Sequence, residues 1–116
     1  MIRRGDIHWV DLDPSRGSEA SKRRPAVVVS NDVANLTATR LGRGVITVVP
    51  VTSNIERVYP FQVALGAAAT GLDRDSKAQA EQVRSVDVER LSSKIGVVPD
   101  MVLRRIDAAL RLHLGL

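Results

Sequence analysis

The 116-residue chain contains no cysteine, which excludes disulfide bonds and thiolate metal sites. Aromatic side chains are scarce as well, and Trp9, Tyr59 and Phe61 leave little of the stacking surface that single-strand binders use. No window approaches the roughly 18 apolar residues that a membrane span requires. The charged N-terminus also lacks the apolar core of a signal peptide. These absences predict a cytoplasmic protein without a membrane segment.

What the chain does contain is an excess of positive charge. It carries 17 Lys and Arg against 13 Asp and Glu, a formal net charge of +4. Arginine supplies most of these cations, and its planar fork of donors matches phosphate oxygens in pairs. The balance favours an anionic partner such as nucleic acid, although many small basic proteins have none. The length predicts a single domain over residues 1–116 with one core.

Short β-branched runs separated by turn residues dominate the pattern. They predict strands at 7–10, 26–30, 45–51 and 60–65, loops at 14–24 and 66–71, and one helical turn at 33–36 capped from 30–32. The strand at 26–30 is expected to be buried on both faces, because it has no polar alternation. Pro50 indicates an edge or a bulge in the strand at 45–51, since proline cannot donate to a sheet ladder.

Two stretches bear on helices. Residues 76–84 (SKAQAEQVR) are rich in helix formers, so propensity alone predicts a helix there, although the length also permits a strand. At the C-terminus, apolar residues recur every fourth position from Val102 to Leu114, with Asp100 as the expected cap and Gly115 as the stop. Several short strands and one terminal helix predict a mainly β (α+β) fold, a compact barrel with helical additions.

Four separated motifs resemble the MazF/PemK toxin family in order and spacing. They are RRGDIHWVDLDPSRGSE, KRRPAVVVSND, VVPVTSN and LDRDSKAQAEQVRSVDVERL, and the likeness extends over residues 2–116. The resemblance implies a small SH3-like (CcdB/PemK-type) barrel with short helices and a C-terminal helix. It also implies a homodimer neutralised by a cognate antitoxin, and it makes residues 76–84 a strand, against propensity.

The function implied by the resemblance is a sequence-specific endoribonuclease that cleaves single-stranded RNA without a metal. RNA carries its own nucleophile, the 2′-hydroxyl beside each phosphate. Cleavage then requires a base, stabilisation of negative charge on phosphorus and a proton for the leaving oxygen. The expected products are a 2′,3′-cyclic phosphate and a 5′-hydroxyl. Two scattered histidines and no cysteine offer no metal-ligand spacing, so neither a cofactor nor a metal site is predicted.

The resemblance makes Arg24, Thr52 and Glu19 the catalytic candidates. Arg24 precedes Pro25 at the mouth of a strand, where an always-charged guanidinium would stabilise a phosphorane. Thr52 ends the strand at 45–51 and can donate to a phosphate oxygen. Glu19 either accepts the 2′-hydroxyl proton or orients Arg24. On sequence alone the ordinary alternatives are a solvated loop cation for Arg24 and a turn-capping hydroxyl for Thr52.

Further polar residues are candidate RNA contacts. Cations hold flanking phosphates, and amides and hydroxyls hydrogen-bond splayed bases. The candidates are Ser18, Lys22, Arg23, Ser53, Asn54, Gln82 and Arg84, with the loop at 53–60 as the expected selector of sequence. The family pattern usually has a small or polar residue before the Arg-Pro pair. Here Arg23 stands at that position, so Arg23 is the alternative to Arg24 as the working cation.

Other interpretations remain open from the sequence. His8 and His113 are not spaced as an acid–base pair, and a structural role is expected for both. A nucleic-acid-binding module without chemistry would use the same basic face. A toxin of similar fold that inhibits DNA gyrase is the third class, but it would need none of the three catalytic candidates.

Overall fold

Seven antiparallel strands and three α-helices make up the computed structural model, which describes residues 1–116. The strands are β1 (Asp6–Asp11), β2 (Arg23–Val28), β3 (Val45–Thr52), β4 (Gln62–Leu65), β5 (Ser76–Gln79), β6 (Arg84–Asp87) and β7 (Leu91–Val97). The helices are α1 (Asp32–Leu41), α2 (Ala67–Thr70) and α3 (Asp100–Leu114), with 3-10 turns at Ala80–Gln82 and Val88–Arg90. The predicted mainly β fold with a C-terminal helix is confirmed.

The sheet runs in the order β4-β5-β3-β2-β1-β7, and β6 pairs with β3. Alternate residues of its central strands enter two separate apolar clusters. Val27 and Val49 belong to one cluster, whereas Ala26, Val28 and Val48 belong to the other. Both faces of these strands are therefore buried, as predicted for the strand at 26–30, although β2 ends at Val28.

β2 begins earlier than the sequence predicts. Arg23 and Arg24 lie in the strand and pair with Asp11 and Val10 of β1, whereas the pattern assigns them to the preceding loop. Charged residues do not give a strand signal in the sequence, but pairing with β1 places both arginines in the strand. The backbone of both is therefore fixed in the ladder with β1.

Pro50 marks neither an edge nor a bulge, because β3 is a central strand. β3 pairs with β2 through Val48–Pro50 on one side. On its other side it pairs with β6 up to Val48 and with β5 from Val51. Pro50 lies where β3 changes its partner from β6 to β5, so its missing N–H costs no ladder hydrogen bond on the side of β5 and β6.

The helical predictions are partly wrong. α1 has ten residues rather than one turn, and Asn31 caps it by accepting from the Ala34 N–H. Residues 67–70 form the short helix α2 where a loop is predicted. Pro99, not Asp100, occupies the cap position of α3, whereas Gly115 ends that helix at a left-handed φ of 72° as predicted.

Residues 76–84 contain two strand segments around the turn Ala80–Gln82. The strand that the resemblance implies is therefore present in two segments, and the helix that propensity alone predicts is wrong, because pairing with β3 and β4 overrides it. The pattern does not predict β7, since its polar residues conceal a strand that pairs with β1. None of the helices is both long and apolar enough to span a membrane.

Candidate active site

A cleft opens where β2 and β3 stop pairing. Their last paired residues are Ala26 and Pro50, and continuing that register by two residues aligns Arg24 with Thr52. Pro25 lacks the N–H that would extend the ladder to β3. On the opposite side of β3, Thr52 pairs with Lys77 of β5. The strands therefore part, and Arg24 and Thr52 are left on either side of the opening.

The resulting cleft has a volume of about 430 Å³. It is lined by Trp9, Lys22, Arg23, Arg24, Pro25, Val51, Thr52, Ser53, Leu72, Asp73, Arg74, Ser76 and Ile95. Lysine and arginine outnumber carboxylates in this lining by four to one. Such a concentration of cations in a concave surface attracts a polyanion. Five of the residues predicted for the site lie here: Lys22, Arg23, Arg24, Thr52 and Ser53.

The Arg24 guanidinium is half-buried and anchored at one nitrogen. Its Nε donates to the Ser21 carbonyl at 2.6 Å, and the structure gives its Nη groups no hydrogen bond within the protein. The guanidinium is thus oriented from behind, while its two outer nitrogens keep the donors that a phosphate would accept.

The Thr52 hydroxyl acts as an acceptor within the protein, which leaves its donor free. Its oxygen accepts the Asn54 N–H at 3.2 Å, so its own hydrogen remains available as a donor. The Asn54 side chain accepts the Glu56 N–H at 3.3 Å and does not line the cleft. Asn54 therefore shapes the loop that leaves Thr52 instead of facing the opening.

The alternative cation Arg23 has different partners. Its guanidinium carbon lies 4.7 Å from the centre of the Trp9 ring, and its Nη2 donates to the Ser92 hydroxyl at 3.2 Å. Both contacts hold the side chain against β1 and β7. Arg24 lacks such partners at its outer nitrogens and is better disposed to meet a ligand.

Lys22 sits in a backbone turn that starts β2. Its φ is 67°, in the left-handed region that few non-glycine residues adopt. Its N–H donates to the Asp13 carboxylate at 2.9 Å, and its carbonyl accepts the Leu12 N–H at 2.9 Å. The turn is therefore fixed on both sides, and it sets where Arg24 enters the strand.

The remaining predicted residues lie outside the cleft lining. Glu19 is exposed in the loop between β1 and β2, and its carboxylate makes no ion pair with Arg24. The Gln82 amide bonds the backbone of Ser18 and Ala20 in that loop. Arg84 donates to the Leu12 carbonyl at 3.1 Å. None of these side chains lines the cleft.

Two residues that line the cleft are absent from the candidates that the sequence provides. Trp9 stands out there only as a rare aromatic, and the structure places its ring in the cleft. Arg74 adds a cation from the loop that precedes β5. Its position within the family-like LDRDS stretch is the signal that could have found it.

The histidines contribute nothing to the cleft. His8 is buried in β1, where its Nδ1 donates to the Ser92 carbonyl at 3.0 Å and its Nε2 lies 3.5 Å from the Asp6 carboxylate. His113 is exposed in the last turn of α3. Neither residue lines the cleft.

Comparisons with known proteins identify relatives of the whole chain. The endoribonuclease MazF9 of Mycobacterium tuberculosis is 68% identical over 116 residues, covering 100% of this chain and 98% of that protein. The crystal structure of MazF from Deinococcus radiodurans is 29% identical with a TM-score of 0.83, and the match covers 99% of this chain and 97% of that one.

A mycobacterial endoribonuclease solved in complex with its cognate antitoxin shares the fold at a TM-score of 0.80, with 23% identity and coverage of 100% of this chain and 97% of that one. The family model described as PemK-like, MazF-like toxin of type II toxin–antitoxin system matches residues 3–114. That match spans nearly the whole chain. The protein therefore belongs to the PemK-like, MazF-like toxins of type II toxin–antitoxin systems.

Proposed function

We propose that this protein, an endoribonuclease toxin by family, cuts single-stranded RNA in the cleft between β2 and β3 without a metal. The observation that carries the proposal is that Arg24 and Thr52 line one basic cleft where the two strands part. One group brings a permanent positive charge and the other a free hydroxyl donor. Together they offer what a developing phosphorane requires.

In the proposed reaction the 2′-oxygen attacks the neighbouring phosphorus, and the bond from phosphorus to the 5′-oxygen breaks. The products are a 2′,3′-cyclic phosphate and a 5′-hydroxyl end. The outer nitrogens of Arg24 pair with the non-bridging oxygens, and Thr52 donates a further hydrogen bond to them. The leaving oxygen takes up a proton, either from the guanidinium or from a water molecule that it orients.

Glu19 is the proposed base for the 2′-hydroxyl proton. Its carboxylate is exposed, without an ion-pair partner, in the loop that leads to Arg24. A carboxylate free of such a partner keeps its lone pairs available for a proton. The distance from the cleft lining requires that bound RNA bring the hydroxyl toward this loop.

Flanking nucleotides are proposed to bind the other basic groups of the cleft. Lys22, Arg23 and Arg74 are exposed cations suited to phosphates. Ser53 and the following loop to residue 60 are proposed to read bases. Trp9 supplies one aromatic surface, although Arg23 covers part of it.

Two protein partners are part of the proposal. A second copy would cover exposed apolar side chains such as Val33, Leu41 and Val45, which are 78%, 57% and 59% exposed. A cognate antitoxin would lay an acidic segment, ordered on binding, across the basic cleft. Sedimentation of the purified protein tests dimerisation. Inhibition of cleavage by the co-expressed antitoxin tests antitoxin binding.

The test of the function is incubation of the purified protein with a long single-stranded RNA, with and without EDTA, followed by mapping of both ends. We expect discrete cuts in both conditions with cyclic phosphate and 5′-hydroxyl ends. A matched oligonucleotide with a 2′-deoxy residue at the cut site should remain whole. Loss of cutting in EDTA, or cutting of the deoxy substrate, would overturn the mechanism.

A further inference from the structure

Two neighbouring residues of the turn Ala80–Gln82 contact two different parts of the chain. Gln82 forms hydrogen bonds with the loop between β1 and β2. Glu81 accepts from Gln62 Nε2 at 2.6 Å, and Gln62 Oε1 accepts the Tyr59 N–H at 3.1 Å in the loop between β3 and β4. The turn itself lies outside the cleft lining.

The Gln82 contact is two-sided. Its Nε2 donates to the Ser18 carbonyl at 2.8 Å, and its Oε1 accepts the Ala20 N–H at 2.9 Å. A single amide thus brackets Glu19 from both sides. Apart from the hydrogen bond that Arg24 Nε donates to the Ser21 carbonyl, these are the only side-chain hydrogen bonds to residues 17–21.

The bracketed segment continues directly into Ser21. The Ser21 carbonyl accepts a hydrogen bond from Arg24 Nε at 2.6 Å, and this hydrogen bond orients the guanidinium. Gln82 holds this segment on the N-terminal side of Ser21. On the other side, the Lys22 N–H, which shares a planar peptide with the Ser21 carbonyl, donates to the Asp13 carboxylate at 2.9 Å. The contacts therefore run from the Gln82 amide through the Ala20–Ser21 backbone to Arg24.

We propose that Gln82 is a positioning residue for cleavage, which holds the Arg24 guanidinium in register through the backbone of Ser18–Ser21. The proposal rests on the proposed function of Arg24. It replaces the expectation from the sequence that Gln82 meets RNA itself. Both polar atoms of its amide are already engaged within the protein.

The chemistry of the bracket explains why an amide is required. One side chain must donate to a carbonyl and accept from an N–H at the same time, and a primary amide does both. Glutamate keeps the acceptor but loses the donor. The loop retains other supports, since Ala20 is buried in the core and the N–H of Glu19 donates to the Arg16 carbonyl. Loss of the amide should therefore loosen the loop without unfolding the protein.

The test compares Gln82→Ala and Gln82→Glu with Gln79→Ala, a matched control whose side chain makes no hydrogen bond to the loop. We expect Gln82→Ala to lower kcat on the order of tenfold, since a displacement of about 1 Å in a catalytic group costs up to 100-fold. KM should stay within about twofold, because the positioned guanidinium acts in the transition state. The kcat of Gln82→Glu should lie between that of Gln82→Ala and that of the wild type. The kcat of Gln79→Ala should match the wild type.

The decisive measurement is a double-mutant cycle with Arg24→Ala. If Gln82 acts through Arg24, adding Gln82→Ala to Arg24→Ala changes the residual rate by less than about twofold. A full tenfold loss in that background would overturn the positioning role. So would a rise in KM at constant kcat, which is the signature of a direct RNA contact.

Failure of the proposed function gives a different result. If Arg24→Ala alone cleaves at the wild-type rate, Arg24 is not catalytic and the positioning role is overturned with it. If Arg24→Ala is impaired but the rate losses of Arg24→Ala and Gln82→Ala multiply in the double variant, only the positioning role of Gln82 is overturned. Should Gln82→Ala not fold, as judged by circular dichroism, the same cycle with Gln82→Glu decides the question.

Discussion

Arg24 and Thr52 stand on either side of the point where two neighbouring strands lose their backbone pairing. The register of β2 and β3 ends at Ala26 and Pro50, and continuing it by two residues toward the opening aligns Arg24 with Thr52. Both side chains rise from strands and not from loops. A pair mounted on strands is held more closely than one on mobile loops. If Arg24 and Thr52 act as proposed, substitutions there should therefore affect rate more than folding.

Replacement of Arg24 by alanine should lower the rate of RNA cleavage by about 100- to 1000-fold, the usual effect of removing one donor that stabilises transition-state charge. Arg24→Lys should recover part of the rate, because it restores the charge without the planar fork. Single-turnover kinetics on a short RNA measures both. Arg40→Ala on α1 is the matched control, and a loss no greater than in that control would contradict the role.

Thr52→Val removes the hydroxyl and keeps the shape. We expect a loss of about 10- to 100-fold in kcat, since a hydrogen bond to a charged group contributes about 1.5–3 kcal/mol. Thr52→Ser should retain most of the activity, because it keeps the donor that the Asn54 N–H orients. Equal activity of the valine and serine variants would show that the hydroxyl takes no part.

The basic lining predicts a salt-dependent affinity for RNA. Replacing Lys22, Arg23 and Arg74 one at a time with alanine should flatten the slope of log affinity against log salt by about 0.7 for each phosphate that the protein no longer neutralises. Fluorescence anisotropy with a non-cleavable 2′-deoxy oligonucleotide measures the slope without interference from cutting. A slope unchanged in all three variants would place the RNA elsewhere.

Lys77 is buried in β5, and its Nζ donates to the Arg57 carbonyl at 2.5 Å. Lys77→Met keeps much of the length and removes this tether. Amide exchange at residues 56–61 should accelerate, while exchange in β3 stays slow. Lys94→Met in β7, where the lysine is half exposed, is the control. Unchanged exchange in the loop would show that packing and not the lysine holds it.

The Asp32 carboxylate links the N-terminal segment to α1. The Arg4 N–H, which donates to it at 2.7 Å, lowers the pKa of Asp32 below its ordinary value of 3.8. Because the folded pKa is depressed, this stabilisation is complete above 3.8 and is lost as the pH falls through the folded pKa. The melting temperatures of wild type and Asp32→Asn should differ at about pH 7 and converge as the pH falls through the folded pKa. A constant difference would contradict the linkage.

Much of the fold could be predicted from β-branched runs, because burial on both faces leaves a clear signal at Ala26–Val28 and along β3. β7 could not, since its polar residues are held in a strand by pairing with β1. The same reason hides the true start of β2 at Arg23. Pairing between distant segments overrides local preference, and a single sequence does not display it.

The candidate site could be predicted in part. The motifs lead to Arg24 and Thr52, which lie together, but spacing along the chain cannot tell which neighbouring polar residues face the opening. Gln82 and Arg84 match the types that bind RNA, and both are used within the protein. Trp9 escapes prediction because its nearness to the cleft arises only on folding, and the one sequence signal for Arg74 is its place in the LDRDS stretch.

The proline at position 25 has one more consequence. It removes the backbone donor that would continue the ladder between β2 and β3, whichever side chains surround the opening. Exposed residues such as Ser53 and Arg74 can therefore change through evolution without closing the gap. A scaffold of this kind permits new target preferences to arise by single substitutions, while the proposed reacting pair stays where it is.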